Sequence, residues 1–113
     1  MENLNPVPSA PTGLSATAGN AQLSLTWTAV TGATSYNVKR ANTAGGSYTT
    51  LATIVTETNY SDTIITNGTT YYYVVTAVNA NGESGNSNEV SVTPQEPQPG
   101  SPTVYRLQQT MLK

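Results

Sequence analysis

The sequence predicts an all-β chain, a seven-stranded antiparallel β-sandwich of short strands. Three observations carry this. The run Tyr71–Asn79 places apolar or aromatic groups at 71, 73, 75 and 77, and again at 72, 74 and 78. Both faces of that strand are therefore substantially apolar, the pattern of a central strand with one face in a core and the other only partly wet. Turn residues also punctuate the chain about every ten positions, a sandwich-like spacing. Finally, no segment carries the period of an amphipathic helix.

The elements follow in order. Residues 1–11 contain Pro6, Pro8 and Pro11, which cannot donate to a ladder, so this lead-in reads as linker or edge. Leu14 and Ala16 alternate with Ser15 and Thr17 in a short first strand, closed by Gly19-Asn20. Leu23, Leu25 and Trp27 alternate with Ser24, Thr26 and Thr28, the cleanest amphipathic strand of the chain. After the turn around Gly32, Tyr36, Val38 and Arg40 alternate with Asn37 and Lys39 in a third strand, broken by Gly45-Gly46. A fourth strand is expected over 47–53 and a fifth over 57–63, followed by a crossover loop over 64–68. The sixth runs from about Thr69 to Asn79, Asn81-Gly82 turns the chain, and the seventh covers about Asn86 to Thr93. The first, second and fifth strands should face the third, fourth, sixth and seventh. The expected core is Leu14, Leu23, Leu25, Trp27, Tyr36, Val38, Tyr71, Tyr73, Val75, Ala77, Val90 and Val92.

The chain has 113 residues, which fits one domain with tails. Its expected organisation is an N-terminal linker (1–9), a domain (10–94), a proline-rich linker (95–102) and a tail or the start of a following module (103–113). Four prolines in residues 94–102 make that linker stiff and extended. The start lacks the basic and apolar regions of a secretory leader, and the whole reads as a module taken from something larger.

Composition excludes several chemistries. There is no cysteine, hence no disulfide framework and no thiolate metal site. There is no histidine, which removes the commonest general base and transition-metal ligand. The four basic residues are Lys39, Arg40, Arg106 and Lys113, and the net charge is −2. Without a basic cluster, neither a phosphate backbone nor an anionic membrane is an expected partner. Paired carboxylates for glycoside hydrolysis would come from Glu57, Asp62, Glu83 and Glu89. All lie at strand ends or turns, where acids are expected to be solvated. Calcium could use Asp62 and Glu57, but no acid-dense loop supports it. No catalytic residue, metal or cofactor is expected.

One surface is a candidate. If Tyr71 and Tyr73 point inward, Tyr72 points outward with Val74 on its own strand, and Asn37 and Lys39 lie across the same sheet. Asn37, Lys39, Tyr72 and Val74 are thus the candidate ligand or partner face. Against a glycan platform stands the plainer reading of Tyr72 and Val74 as ordinary strand formers under a neighbour. Trp27, Tyr36, Tyr71 and Tyr73 are assigned to the structural core.

The residues resemble a known family. Ala10-Pro11-Thr12-Gly13-Leu14 precedes the first strand, Leu25-Thr26-Trp27 lies in the second and Tyr36-Asn37-Val38 in the third. Asn67-Gly68-Thr69-Thr70-Tyr71 enters the sixth, Ala77-Val78-Asn79 leaves it, and Gly82-Glu83-Ser84 follows. In this order the pieces resemble the fibronectin type III domain, an immunoglobulin-like sandwich, over roughly Pro8 to Pro94. The texture resembles the bacterial branch, found within secreted polysaccharide-degrading enzymes. The resemblance implies that Trp27 is the core tryptophan and that Tyr71 is the corner tyrosine, its hydroxyl bonding backbone in the preceding loop. Where other members often have Leu-x-Pro, this chain has Ile65-Thr66-Asn67. The integrin-binding tripeptide of some animal members is absent from 79–85. The implied function is a noncatalytic spacer or docking module of a secreted glycoside hydrolase, monomeric, with neighbouring modules of the same polypeptide as partners. The alternatives are accessory polysaccharide binding through the Tyr72 face and a protein–protein or adhesion contact, by that face or by strand addition.

Overall fold

Alternating side chains become strand where one set can be buried, and the structure, a computed structural model describing residues 7–96, forms eight strands in this way. They are β1 (Ser15–Gly19), β2 (Gln22–Thr26), β3 (Ser35–Ala41), β4 (Thr49–Val55), β5 (Asn59–Asp62), β6 (Tyr71–Asn79), β7 (Gly82–Glu83) and β8 (Val90–Val92). The segments read as linker and tail at 1–6 and 97–113 lie outside the described residues.

Two antiparallel sheets face each other. The smaller has the order β1-β2-β5, and the larger has β4-β3-β6-β7 with β8 also paired to β6. This is the expected three-against-four partition, with one difference in count. A two-residue strand, β7, forms within the expected turn, and the expected seventh strand over 86–93 is shortened to β8. Between them the chain is irregular, but it still serves β6 through serine. Ser84 N–H donates to the Ala77 carbonyl at 2.8 Å, and Ala77 N–H donates to Ser84 Oγ at 2.8 Å. Ser87 does the same for Val75, at 2.9 Å in each direction. Two hydroxyls thus stand in for missing carbonyl acceptors, so the buried donors of β6 stay satisfied.

The core between the sheets holds Leu14, Leu23, Leu25, Trp27, Tyr36, Val38, Tyr71, Tyr73, Val75 and Ala77. Val90 and Val92 are only partly buried and pack at its margin, because β8 is short and lies at the rim of its sheet. Trp27 and Tyr36 meet edge to face, with ring centroids 5.5 Å apart. The Tyr36 hydroxyl accepts from Val30 N–H at 2.9 Å and the Tyr71 hydroxyl from Thr66 N–H at 2.9 Å. The latter ties the loop before β6 to the strand it feeds.

The chain enters and leaves at opposite ends of β6. Val7 lies at the β6–β7 turn, where a Cβ on Gly82 would come within 2.9 Å of Val7 Cγ1. Gly82 has φ +140°, so both its backbone and its surroundings call for glycine. Pro8 and Pro11 are buried. At the other end Pro94 is fully buried, its carbonyl accepts from Gly68 N–H at 2.8 Å, and Gln95 N–H donates to Gly19 at 3.3 Å. Nine strand residues separate these ends, about 30 Å.

Candidate functional site

The larger sheet has an outer face, away from the core. Register defines it: Asn37 is opposite Thr76, Lys39 opposite Val74 and Ala41 opposite Tyr72, with Ser91 on the far side of Tyr72. Asn37, Lys39, Tyr72 and Val74 therefore do share one face. The structure divides them by exposure. Asn37, Lys39 and Tyr72 are half-buried, whereas Val74 is 1% exposed. Val74 is accordingly withdrawn from the solvent-facing set. Alternation turned its side chain outward, but alternation does not say what lies on top.

Glu83 organises one end of this face. Its Oε2 accepts from Thr76 Oγ1 at 2.5 Å and Asn37 Nδ2 at 3.1 Å, and pairs with Lys39 Nζ at 2.8 Å. Lys39 first, then Thr76 and Asn37, pull the Glu83 carboxyl down to about 2. Asn37 and Lys39 are thus engaged within the protein, and Thr76 is buried beneath them.

Glu89 organises the other end. Its Oε2 accepts from Gly45 N–H at 2.8 Å and from the Tyr48 hydroxyl. Burial first, and then the Glu89 carboxylate, push the Tyr48 phenol up to about 12. The Tyr48 hydroxyl and the Gly45 N–H in turn lower the Glu89 carboxyl. The sequence offered Glu83 and Glu89 only as solvated acids and gave no sign of Tyr48, because nothing local links residues 41 to 46 positions apart to this face.

A second polar cluster lies between the sheets. Asp62 Oδ2 pairs with Arg40 Nη1 at 2.8 Å and accepts from the Tyr73 hydroxyl at 2.7 Å. Arg40 also donates to the Ile64 carbonyl at 3.1 Å, and its guanidinium lies 5.1 Å over the Tyr71 ring. Burial and the Asp62 carboxylate raise the Tyr73 phenol well above its ordinary value. Asp62 is 3% exposed, which corrects the expectation of a solvated acid. It sits at a strand end, but that end is covered by Arg40 from the facing sheet. Trp27 (6% exposed), Tyr36 (5%), Tyr71 (7%) and Tyr73 (0%) lie within the core.

The remaining acids among the described residues, Glu57 and Glu96, are exposed. Among the described residues no three His, Cys, Asp or Glu side chains gather as metal ligands would. On the outer face of the larger sheet, Asn37, Lys39, Thr76 and Tyr48 all bond to Glu83 or Glu89 within the protein.

Comparison with known proteins agrees with this architecture. The profile of the Fibronectin type III domain matches residues 9–108. An amylopullulanase of Thermoanaerobacter thermohydrosulfuricus is 46% identical over 87 residues, which cover 76% of this chain but 6% of that protein. A poly(3-hydroxybutyrate) depolymerase of Ralstonia pickettii is 46% identical over 87 residues, 75% of this chain and 16% of that protein. The crystal structure of a Fn3-like protein from Clostridium thermocellum superposes with a TM-score of 0.70 at 50% identity, covering 80% of this chain and 94% of that one. The chain thus spans a small fraction of the enzymes it matches.

Proposed function

The chain belongs to the fibronectin type III family, a noncatalytic fold, and from that premise we propose that it is a spacer or docking module of a secreted, multimodular bacterial enzyme that degrades polysaccharide. Its partners in this reading are the neighbouring modules of the same polypeptide. The observation that carries the reading is the placement of entry and exit. Val7 is held at one end of β6, and Pro94 and Gln95 are held at the other. A domain anchored in this way transmits a fixed separation to whatever lies before and after it. Similarity supports the same reading. Equal identity to an amylopullulanase and to a polyester depolymerase fits a module whose sequence is not set by substrate.

The experiment uses the absence of cysteine. Val7→Cys and Gln95→Cys accept a donor and an acceptor dye in the 113-residue chain. Energy transfer should report a single narrow separation of about 30 Å or somewhat more. The same chain should wash freely from insoluble starch, cellulose, chitin and xylan. A broad distance distribution overturns the spacer. Retention that disappears in Tyr72→Ala replaces it with accessory binding through the Tyr72 face.

A further inference from the structure

We propose that loop 42–48 is a strap latched across the outer face of the larger sheet by the Glu89 carboxylate, and that this latch gates access to Tyr72 and Val74. The inference is independent of the spacer reading.

The geometry follows from strand order. Tyr48 immediately precedes β4, the edge strand on one side of β3. Glu89 immediately precedes β8, on the far side of β6. Joining them requires crossing both β3 and β6, three strand spacings or about 14 Å. The inner route is filled by the core, so the crossing runs over the outer face. Register gives its level. Tyr48 stands beside Ala41, whose partner is Tyr72, and Glu89 stands beside Val74. The path runs diagonally over this apolar group. It accounts for an otherwise puzzling pair of burials: Val74 at 1% and Ala41 at 4% exposure, although alternation turns Val74 away from the core.

The strap is built to move as a unit. Thr43 Oγ1 donates to the Gly46 carbonyl, and Gly46 N–H donates to Thr43 at 3.3 Å, closing a turn within the loop. Gly45 and Gly46 have φ +82° and +114°, conformations that side-chain-bearing residues rarely adopt. The latch itself sits in water: Glu89 and residues 42–45 are exposed. Both latch bonds converge on one oxygen, so a single side chain holds the whole loop. An exposed latch over an apolar patch is a local opening element, which breaks without the rest of the fold.

Amide exchange followed by NMR in the full chain tests this. In Glu89→Ala the Gly45 amide should exchange at least tenfold faster. The amides of Leu23 and Leu25, in the opposite sheet, should keep their protection. Tyr48→Phe, which removes one hydroxyl, should move Gly45 in the same direction. Fluorescence of 1-anilinonaphthalene-8-sulfonate should rise in Glu89→Ala and fall back when Val74→Thr is added. Unchanged Gly45 exchange in either variant overturns the latch. A parallel rise at Leu23 and Leu25 also overturns it, since Glu89 would then serve global stability. Faster Gly45 exchange without added dye fluorescence overturns the gating of the apolar face.

Discussion

Glu83 shows how one side chain sets the character of a surface. Three donors converge on one of its oxygens, and its carboxyl lies at about 2 against an ordinary 4.5. A carboxyl lowered on folding stabilises above its unfolded pKa. That contribution is lost as pH falls from about 4.5 through about 2. The side chain is 39% exposed, so solvent screening limits the contribution to about 0.2–1 kcal/mol. Chemical denaturation of the wild type and Glu83→Gln should therefore differ by that amount at pH 7, and the difference should shrink below about pH 4.5 and close only below about pH 2. A difference independent of pH would mean that packing, and not charge, accounts for it. The acid at Glu83 and the donors at Lys39 and Asn37 were each visible in the sequence. Their convergence was not, because a turn of β7 back onto β6 brings them together.

At the scale of elements, β4 is the least regular. It is an edge strand with register shifts against β3 between Tyr36 and Val38 and between Val38 and Lys39. Ile54 within it has φ +57° and is 76% exposed. A β-branched residue in the left-handed region is a genuine outlier, and its cost is about 1–2 kcal/mol. The irregularity has a use: an uncharged, β-prone edge such as Thr49–Val55 invites pairing with another chain, and bulges blunt it. Asparagine tolerates the left-handed region better. Ile54→Asn should therefore raise stability by about 0.5–1 kcal/mol in urea titration without changing the oligomeric state. A lower midpoint would show that the exposed isoleucine contributes more by contact than it costs in backbone strain. The sequence placed a fourth strand here, over 47–53, two residues early. Bulges shift the side-chain alternation on which such a reading depends.

At the scale of the molecule, two sheets without a disulfide are joined by apolar packing and by the Arg40–Asp62–Tyr73 cluster. Arg40 comes from the larger sheet, Asp62 from the smaller, and Tyr73 from the central strand. Removing one partner from a buried pair leaves the others uncompensated, at about 3–5 kcal/mol. Arg40 keeps 23% of its side chain in water, which places Asp62→Ala near the lower bound of that range. Its calorimetric midpoint should fall accordingly, and adding Arg40→Met should recover part of the loss. No loss in Asp62→Ala would mean that the sheets are held by apolar contact alone.

The division between sequence and tertiary structure follows from range. Period-two alternation in 23–27 and 71–79 and glycine and asparagine at the turns determined an antiparallel sandwich, and the absence of cysteine excluded thiol chemistry. Each of these signals is local and needs only neighbouring residues, whereas the partition of strands between the sheets was expected from the sandwich type as a whole. What covers an outward side chain is not local. Val74 under the path of loop 42–48, Asp62 under Arg40, and serines 84 and 87 in place of ladder carbonyls were decided by segments that meet only after the sheets assemble. Burial and hydrogen bonding are properties of that meeting, so the surface this module presents was settled in three dimensions.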